Sequence, residues 1–228
     1  MNDAASFYSD GRYDWPSLLR RGLRDIADGL VRRQIWMFLG LREVRNQYQR
    51  SVLGPLWLTL NMGILIGALG WFYSQIFAQD IRVFLPYVTL GFIIWGMIGG
   101  LLNESCLVFT TAAASIRQAR MPVSLYAYQL AWRHLVIFAH NLSIFVLVAL
   151  IFGLWPGATG LLAILGILLI LVNGFFLCLI LGPLAARFRD IPPIIASSTQ
   201  ILFFLTPIFW MPSSLPGRAT FIYVNPLF

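Results

Sequence analysis

Five stretches of this sequence are each long enough and apolar enough to cross a lipid bilayer, and no other feature narrows the possible folds as far. A spanning helix needs about 20 apolar residues, because each residue advances about 1.5 Å through roughly 30 Å of hydrocarbon. The runs cover 56–77, 84–108, 135–152, 161–184 and 194–211. Backbone amides cannot be left open to lipid, so the expected fold is an all-α integral membrane bundle. With 59% of 228 residues hydrophobic and only 11% charged, little is left from which to build a separate soluble core. A single membrane domain is therefore expected.

The charges orient that bundle. The sixteen basic residues are all arginine, and the formal net charge is +7. Nine arginines precede the first run, Arg117, Arg120 and Arg133 lie between the second and third, and Arg187 and Arg189 lie between the fourth and fifth. Arg82 and Arg218 alone fall on the other side. Positive residues stay with the cytoplasmic loops, so a cytoplasmic N-terminus and five alternating crossings are expected. No secretory signal is expected either, because the first long apolar run begins only near Gly54 after an arginine-rich stretch. The same composition excludes a motor. A phosphate-binding P-loop and a kinase-type site both need a lysine, and this chain has none. If ATP drives this protein, a separate partner subunit binds ATP and Mg and hydrolyses it, and this chain carries no cofactor.

Ahead of the first span, apolar residues from Leu18 to Val44 recur at spacings of three and four beside Arg20, Arg21, Arg24, Arg32, Arg33, Arg42 and Arg45. This pattern predicts a basic amphipathic helix in the inner interface over 21–53, behind a tail at 1–20, with Gly40 as the position where the helix would divide. Residues 54–228 then form the transmembrane domain. Between the two lies an elbow at Arg50, Gly54, Pro55 and Trp57: Gly54 suits a positive φ at a helix end, and Pro55 suits the first turn of the next helix.

The longest arginine-bearing connection between spans runs from Thr110 to Arg133. Strong helix formers, a threonine suited to capping and arginines toward the end predict a short helix from Thr111 to Arg120, stopped by Met121-Pro122. Such a helix either docks a motor subunit or serves only as a positive loop. Asp190, before Pro192 and Pro193, is expected to cap the fifth span. Glu104, near the inner end of the second span, is expected to snorkel to the interface or contact a neighbouring helix rather than relay protons. His134 and His140 are six residues apart, about 600° of helical rotation, and so lie on different faces. Cys106 and Cys178 read as packing residues. No catalytic group and no metal-ligating set emerges.

Aromatics gather near the outer ends of spans one and five: Trp71, Phe72, Tyr73, Phe77, Phe203, Phe204, Phe209 and Trp210. They could face lipid, pack helices or line a path for a sugar chain, whose C–H faces stack on rings. Pro207 breaks helical hydrogen bonding there and predicts a bent or re-entrant segment continuing to Tyr223.

Together, Tyr48 to Trp57 with its Ser-Val-Leu-Gly-Pro-Leu-Trp core, the Arg187-Phe-Arg-Asp-Ile run, the Thr206-Pro-Ile-Phe-Trp run and the terminal Asn225-Pro-Leu resemble the membrane subunit of ABC-2 type polysaccharide exporters, the O-antigen, capsular polysaccharide and teichoic acid permeases. The resemblance covers about residues 30–228. It implies a homodimer joined to two cytoplasmic ABC ATPase subunits in a bacterial inner membrane, with no nucleic-acid partner, exporting a lipid-linked polysaccharide. It also implies six spans, the sixth lying beyond the end of this sequence, and an outer gate segment at 212–228. Carried onto this chain, Thr111, Ser115, Ile116, Arg117 and Arg120 become the coupling contact with the ATPase, and Arg50, Gly54, Pro55 and Trp57 the hinge. Trp71, Phe72, Tyr73, Phe203, Phe204, Phe209 and Trp210 become channel lining. A drug- or lipid-exporting relative of the same class is the nearest alternative, and a membrane-embedded glycosyl- or acyltransferase a more distant one.

Overall fold

In a computed structural model of the chain, residues 8–9, 12–13, 15–47, 49, 53–54, 56–119, 121–154, 157 and 160–211 are described. Strands β1 (Tyr8–Ser9) and β2 (Arg12–Tyr13) pair antiparallel at the N-terminal end. Everything else with regular structure among the described residues is helical. Two helices, α1 (Trp15–Val31) and α2 (Arg33–Gln47), precede the bundle. The bundle helices are α3 (Leu56–Ile76), α4 (Ile81–Ser105), α7 (Ser124–Phe152), α8 (Gly160–Arg187) and α9 (Ile191–Leu205), with the short α5 (Val108–Thr111) and α6 (Ala113–Gln118) between α4 and α7.

Four of these, α3, α4, α7 and α8, are long and apolar enough to cross a membrane. The fifth apolar run gives α9, which has 15 residues and so advances only about 22 Å. Helix α4 is the hub, touching α3, α7, α8 and α9. Its Phe84, Val88, Ile93, Met97 and Leu101 are buried against Ile66 of α3, Leu130 and Phe138 of α7, and Phe175 of α8. On α8, Leu161, Ile164, Leu165 and Leu168 stay exposed, which places the chain's excess of apolar side chains on an outward face. Cys106 and Cys178 are free and buried, as packing residues should be.

Local chemistry explains the helix ends. Asp80 caps α4 by accepting the Arg82 amide at 2.9 Å. Gly153 ends α7 at φ 67°, a left-handed conformation that glycine adopts without a Cβ clash. Gly54 in the elbow has φ 53°, as expected there; Arg50 and Pro55 fall outside the described residues.

Several expectations are corrected. The break in the N-terminal helical segment lies at Arg32, not Gly40, which sits buried inside α2 where an added Cβ would meet Trp132 at 2.9 Å. The absent side chain serves close approach rather than flexibility. The segment begins at Trp15, before the expected boundary at 21. Helix α7 starts at Ser124 rather than near Leu135, because its first turns are covered by α1 and α2 and so tolerate polar residues that a hydropathy reading assigns to a loop. Thr111 to Arg120 is not one helix: α5 and α6 part at Ala112, and neither is capped by a side chain. Thr110 instead donates its hydroxyl back to the Leu107 carbonyl at 2.8 Å. Asp190 occupies the cap position of α9 in a helical conformation and makes no side-chain capping bond.

Candidate functional site

The arginine-rich end of the bundle is held together by acids. The chain has nine acidic residues, and three of them, Asp25, Glu43 and Glu104, converge on the first turns of α7. Asp25 lies on α1, yet it caps α7: the Val123 amide donates to its Oδ1 at 2.9 Å and the Ser124 amide to its Oδ2 at 2.8 Å. Ser124 returns the bond, donating its hydroxyl to the Asp25 carbonyl at 2.6 Å. A carboxylate at the amide end of a helix is favoured by both hydrogen bonding and the dipole. Close approach is possible because Gly29, one turn after Asp25, leaves room for Ser124 and Tyr128.

A second ligature joins α2, α7 and α4. Glu43 accepts from Gln129 Nε2 at 2.6 Å and from Arg133 Nη1 at 2.9 Å. The other terminal nitrogen of Arg133 binds Glu104, whose same oxygen lies 3.0 Å from His134 Nε2. Arg133 thus serves two carboxylates from two different helices, which suits the fork of a guanidinium. Glu104 fills the helix-contact role expected of it. Above this network Trp36 of α2 stacks on Tyr128 at 5.7 Å and meets Trp132 edge-on at 6.0 Å. His140 points elsewhere, with Nδ1 2.9 Å from the Val136 carbonyl, so the two histidines do not form a pair.

Helices α5 and α6 cross the same end. Phe109 of α5 occupies a notch at Gly182 of α8, a contact that any Cβ at position 182 would obstruct. Beyond that anchor, Thr111, Ser115 and Arg117 are exposed and Ile116 is half-buried; Arg120 lies outside the described residues. The chain passes from this exposed segment directly to the Asp25-capped start of α7.

At the opposite end the chemistry changes to rings. Tyr73 stacks on Phe77 at 5.7 Å and leans on Phe209 at 5.6 Å. Phe209 lies 5.5 Å from Phe203, which meets Phe92 and Trp95 of α4 at 5.7 and 5.8 Å. Phe204 joins edge-on to Phe203 and Phe209, and Phe72 edge-on to Tyr73. The structure therefore brings together Phe72, Tyr73, Phe203, Phe204 and Phe209. Trp71 stands exposed outside this ring-to-ring chain, and Trp210 reaches it by an indole N–H donated to the Phe204 carbonyl at 3.3 Å. Trp57, at the other end of α3, is exposed.

The chain bends here as Pro207 predicts. Helix α9 stops at Leu205, Thr206 is extended, as the residue before a proline prefers, and Tyr87 of α4 donates its hydroxyl to the carbonyls of Pro207 and Trp210. Ile208 seats against Gly91, where a Cβ would meet its carbonyl at 3.0 Å. Tyr87 thereby satisfies carbonyls that the broken helix releases. The expected gate segment at 212–228 lies outside the described residues.

Sequence reasoning missed Asp25 as the cap of α7, and Glu43, Arg133 and His134 as one network with Glu104. Their signal was scarcity: in an arginine-rich segment each acid is an exception, and two of those exceptions hold the segment to the bundle.

Comparison with known proteins places this architecture. A family model described as ABC-2 type transporter matches residues 34–228. The O-antigen export system permease protein RfbA of Myxococcus xanthus is 22% identical over 204 residues, covering 86% of this chain and 78% of that protein. The O-antigen export system permease protein RfbA of Klebsiella pneumoniae is 24% identical over 195 residues, covering 82% and 73%.

Proposed function

Because the chain belongs to the ABC-2 type transporter family, as the membrane permease subunit of an exporter that works with an ATPase partner, we propose that it carries a lipid-linked polysaccharide of the O-antigen kind across a bacterial inner membrane. The observation that carries this reading is the similarity to two O-antigen export permeases along more than four fifths of this chain. In this reading two copies form the path and two ATPase subunits sit at the arginine-rich end, which is the cytoplasmic one. The chain's lack of lysine fits a subunit whose motor is separate.

Exposed Thr111, Ser115 and Arg117, with Ile116 and Arg120, form the contact with the ATPase. Motion there has a short route inward: through Asp25 to α1, and through Phe109 to α8. Arg50, Gly54, Pro55 and Trp57 act as the hinge between α2 and α3. Helix α9 is the fifth span, extended by the bent segment after Pro207. Tyr73, Phe203, Phe204 and Phe209, with Trp71, Phe72 and Trp210 around them, offer C–H-stacking faces to the sugar chain.

The test is complementation. A bacterium lacking its own O-antigen permease receives this chain together with its ATPase partner, and surface polysaccharide is read on gels and by antibody. Surface glycan that disappears when the ATPase is inactivated supports the reading. Export that continues without an ATPase, or complementation of drug or lipid efflux but of no glycan, would sink it.

A further inference from the structure

The two helices ahead of the bundle have different surroundings. Helix α2 turns Gly40 and Val44 onto the bundle, and its exposed side mixes Phe38 and Leu41 with Gln34, Arg42 and Arg45. Helix α1, which ends before residue 34 where the family match begins, is sorted more sharply. Its Trp15, Leu19, Leu23 and Leu30 stand 55–66% exposed. Their spacing puts them on one side of the helix, so they form a continuous apolar stripe rather than scattered single residues.

The contacts between α1 and α7 show which way that stripe faces. Asp25 marks the side of α1 that meets the first amides of α7, at Val123 and Ser124. Ile26, about 100° further round the helix, packs against the apolar core. Leu19, Leu30 and Leu23 follow in the same sense within about 60°, and Arg20 and Arg24 come about 60–100° beyond Leu23. Asp25 meets the end of α7 and Ile26 its apolar surroundings, so the stripe turns toward the membrane-spanning part of the bundle. Arg20 and Arg24 border it on the side away from α7, and Arg21 and Asp28 lie on the opposite face. Neither Arg20 nor Arg24 forms an ion pair with a described residue. With three arginines and two aspartates along it, α1 cannot itself cross the bilayer. An apolar stripe turned toward the membrane and bordered by unpaired arginines is complementary to acyl chains lying beneath anionic phosphates.

We propose that α1 binds anionic phospholipid, with Trp15, Leu19, Leu23 and Leu30 among the acyl chains and Arg20 and Arg24 on the phosphates. Because Asp25 of the same helix caps α7, the charge of the leaflet then helps to fix the start of α7, next to the exposed Thr111, Ser115 and Arg117. This lipid contact is independent of what the protein exports.

The full-length chain in nanodiscs tests this, with the discs made of phosphatidylcholine alone or with a quarter of it replaced by phosphatidylglycerol. Amide exchange across α1 should slow in the anionic discs by up to about 25-fold, about five-fold for each arginine near an anionic surface, and the gain should shrink at high salt. The double variant Arg20→Gln, Arg24→Gln, changed only at exposed positions, should lose the gain and exchange as the native chain does in phosphatidylcholine. A bimane probe on Leu23→Cys should be quenched by brominated acyl chains and one on Asp28→Cys should not; the native Cys106 and Cys178 are buried and leave the labelling specific. Equal exchange in the two discs, or a gain that survives in the double variant, overturns the proposal. So does a Leu23→Cys probe that brominated lipid leaves bright, and one that is shielded only when the ATPase partner is added assigns the stripe to a protein contact instead. Any of these results leaves the export reading standing, and failure of export leaves the lipid contact standing.

Discussion

The two ends of the bundle terminate the same apolar helices by different means. At the arginine-rich end, short amphipathic helices are fastened by charge-assisted hydrogen bonds between residues far apart in sequence: Asp25 to Val123 and Ser124, and Glu43 to Arg133. At the other end, rings pack on rings and one hydroxyl holds a bent segment. Charged bonds are directional, so displacing one helix displaces its partner. Ring contacts are short-ranged and tolerant of sliding, so that end can change shape without breaking a bond. The first arrangement suits passing on a push, the second suits a passage for a bulky chain.

Breaking the charged end should do the most damage. Arg133→Met removes the shared partner of Glu43 and Glu104 and is expected to destabilise the protein by about 2–3 kcal/mol, below the ~3–5 of a fully buried pair because both carboxylates remain partly exposed to solvent. The measurement is the apparent melting temperature in detergent; an unchanged value would mean the network bears no load. Gly182→Val should displace Phe109 and cost about 2 kcal/mol by overpacking. Phe109→Ala in the same chain should restore much of the stability, yet leave ATP hydrolysis poorly matched to export, which is read as glycan exported per ATP consumed.

Asp25→Ala leaves the first amides of α7 uncapped and should cost about 1–2 kcal/mol. Amide hydrogen exchange at Val123 and Ser124 checks this directly, with Asp25→Asn, which keeps one acceptor oxygen, falling between. On the ring side, Tyr87→Phe removes a single hydroxyl and should cost about 1 kcal/mol, loosening residues 206–210 in hydrogen exchange and nothing near Asp25. Trp71→Ala should change stability by less than ~0.5 kcal/mol, since the ring is exposed and outside the cluster. A clear change in exported glycan from that variant would mark position 71 as lining; a large loss of stability would mark it as packing instead.

Much of the outline was legible. Four apolar runs became helices long enough to span, Gly54 took its positive φ, and Pro207 bent the chain after α9. Each follows from local chemistry: hydropathy, a missing Cβ, a missing N–H. The candidate site was legible only in pieces. The exposed segment at Thr111–Arg117 could be located but not its division at Ala112, and the aromatics could be gathered but not sorted into packed rings and the outlying Trp71. Glu104 could be assigned a helix contact but not its partner.

By itself the sequence determined that the chain lives in a membrane, where its helices run, and that it lacks the lysine of an ATP-hydrolysing site, because these depend on the composition of contiguous stretches. Tertiary structure alone decided that α7 begins at Ser124 beneath α1, that Asp25 caps a helix about a hundred residues away, that Arg133 joins two acids from two helices, and that the Asn141 side-chain oxygen is buried without a partner among the described residues. A cap, a salt bridge or an orphaned oxygen is a relation between groups that only packing brings within reach. No local window contains both partners, so no reading of the windows one by one could have supplied it.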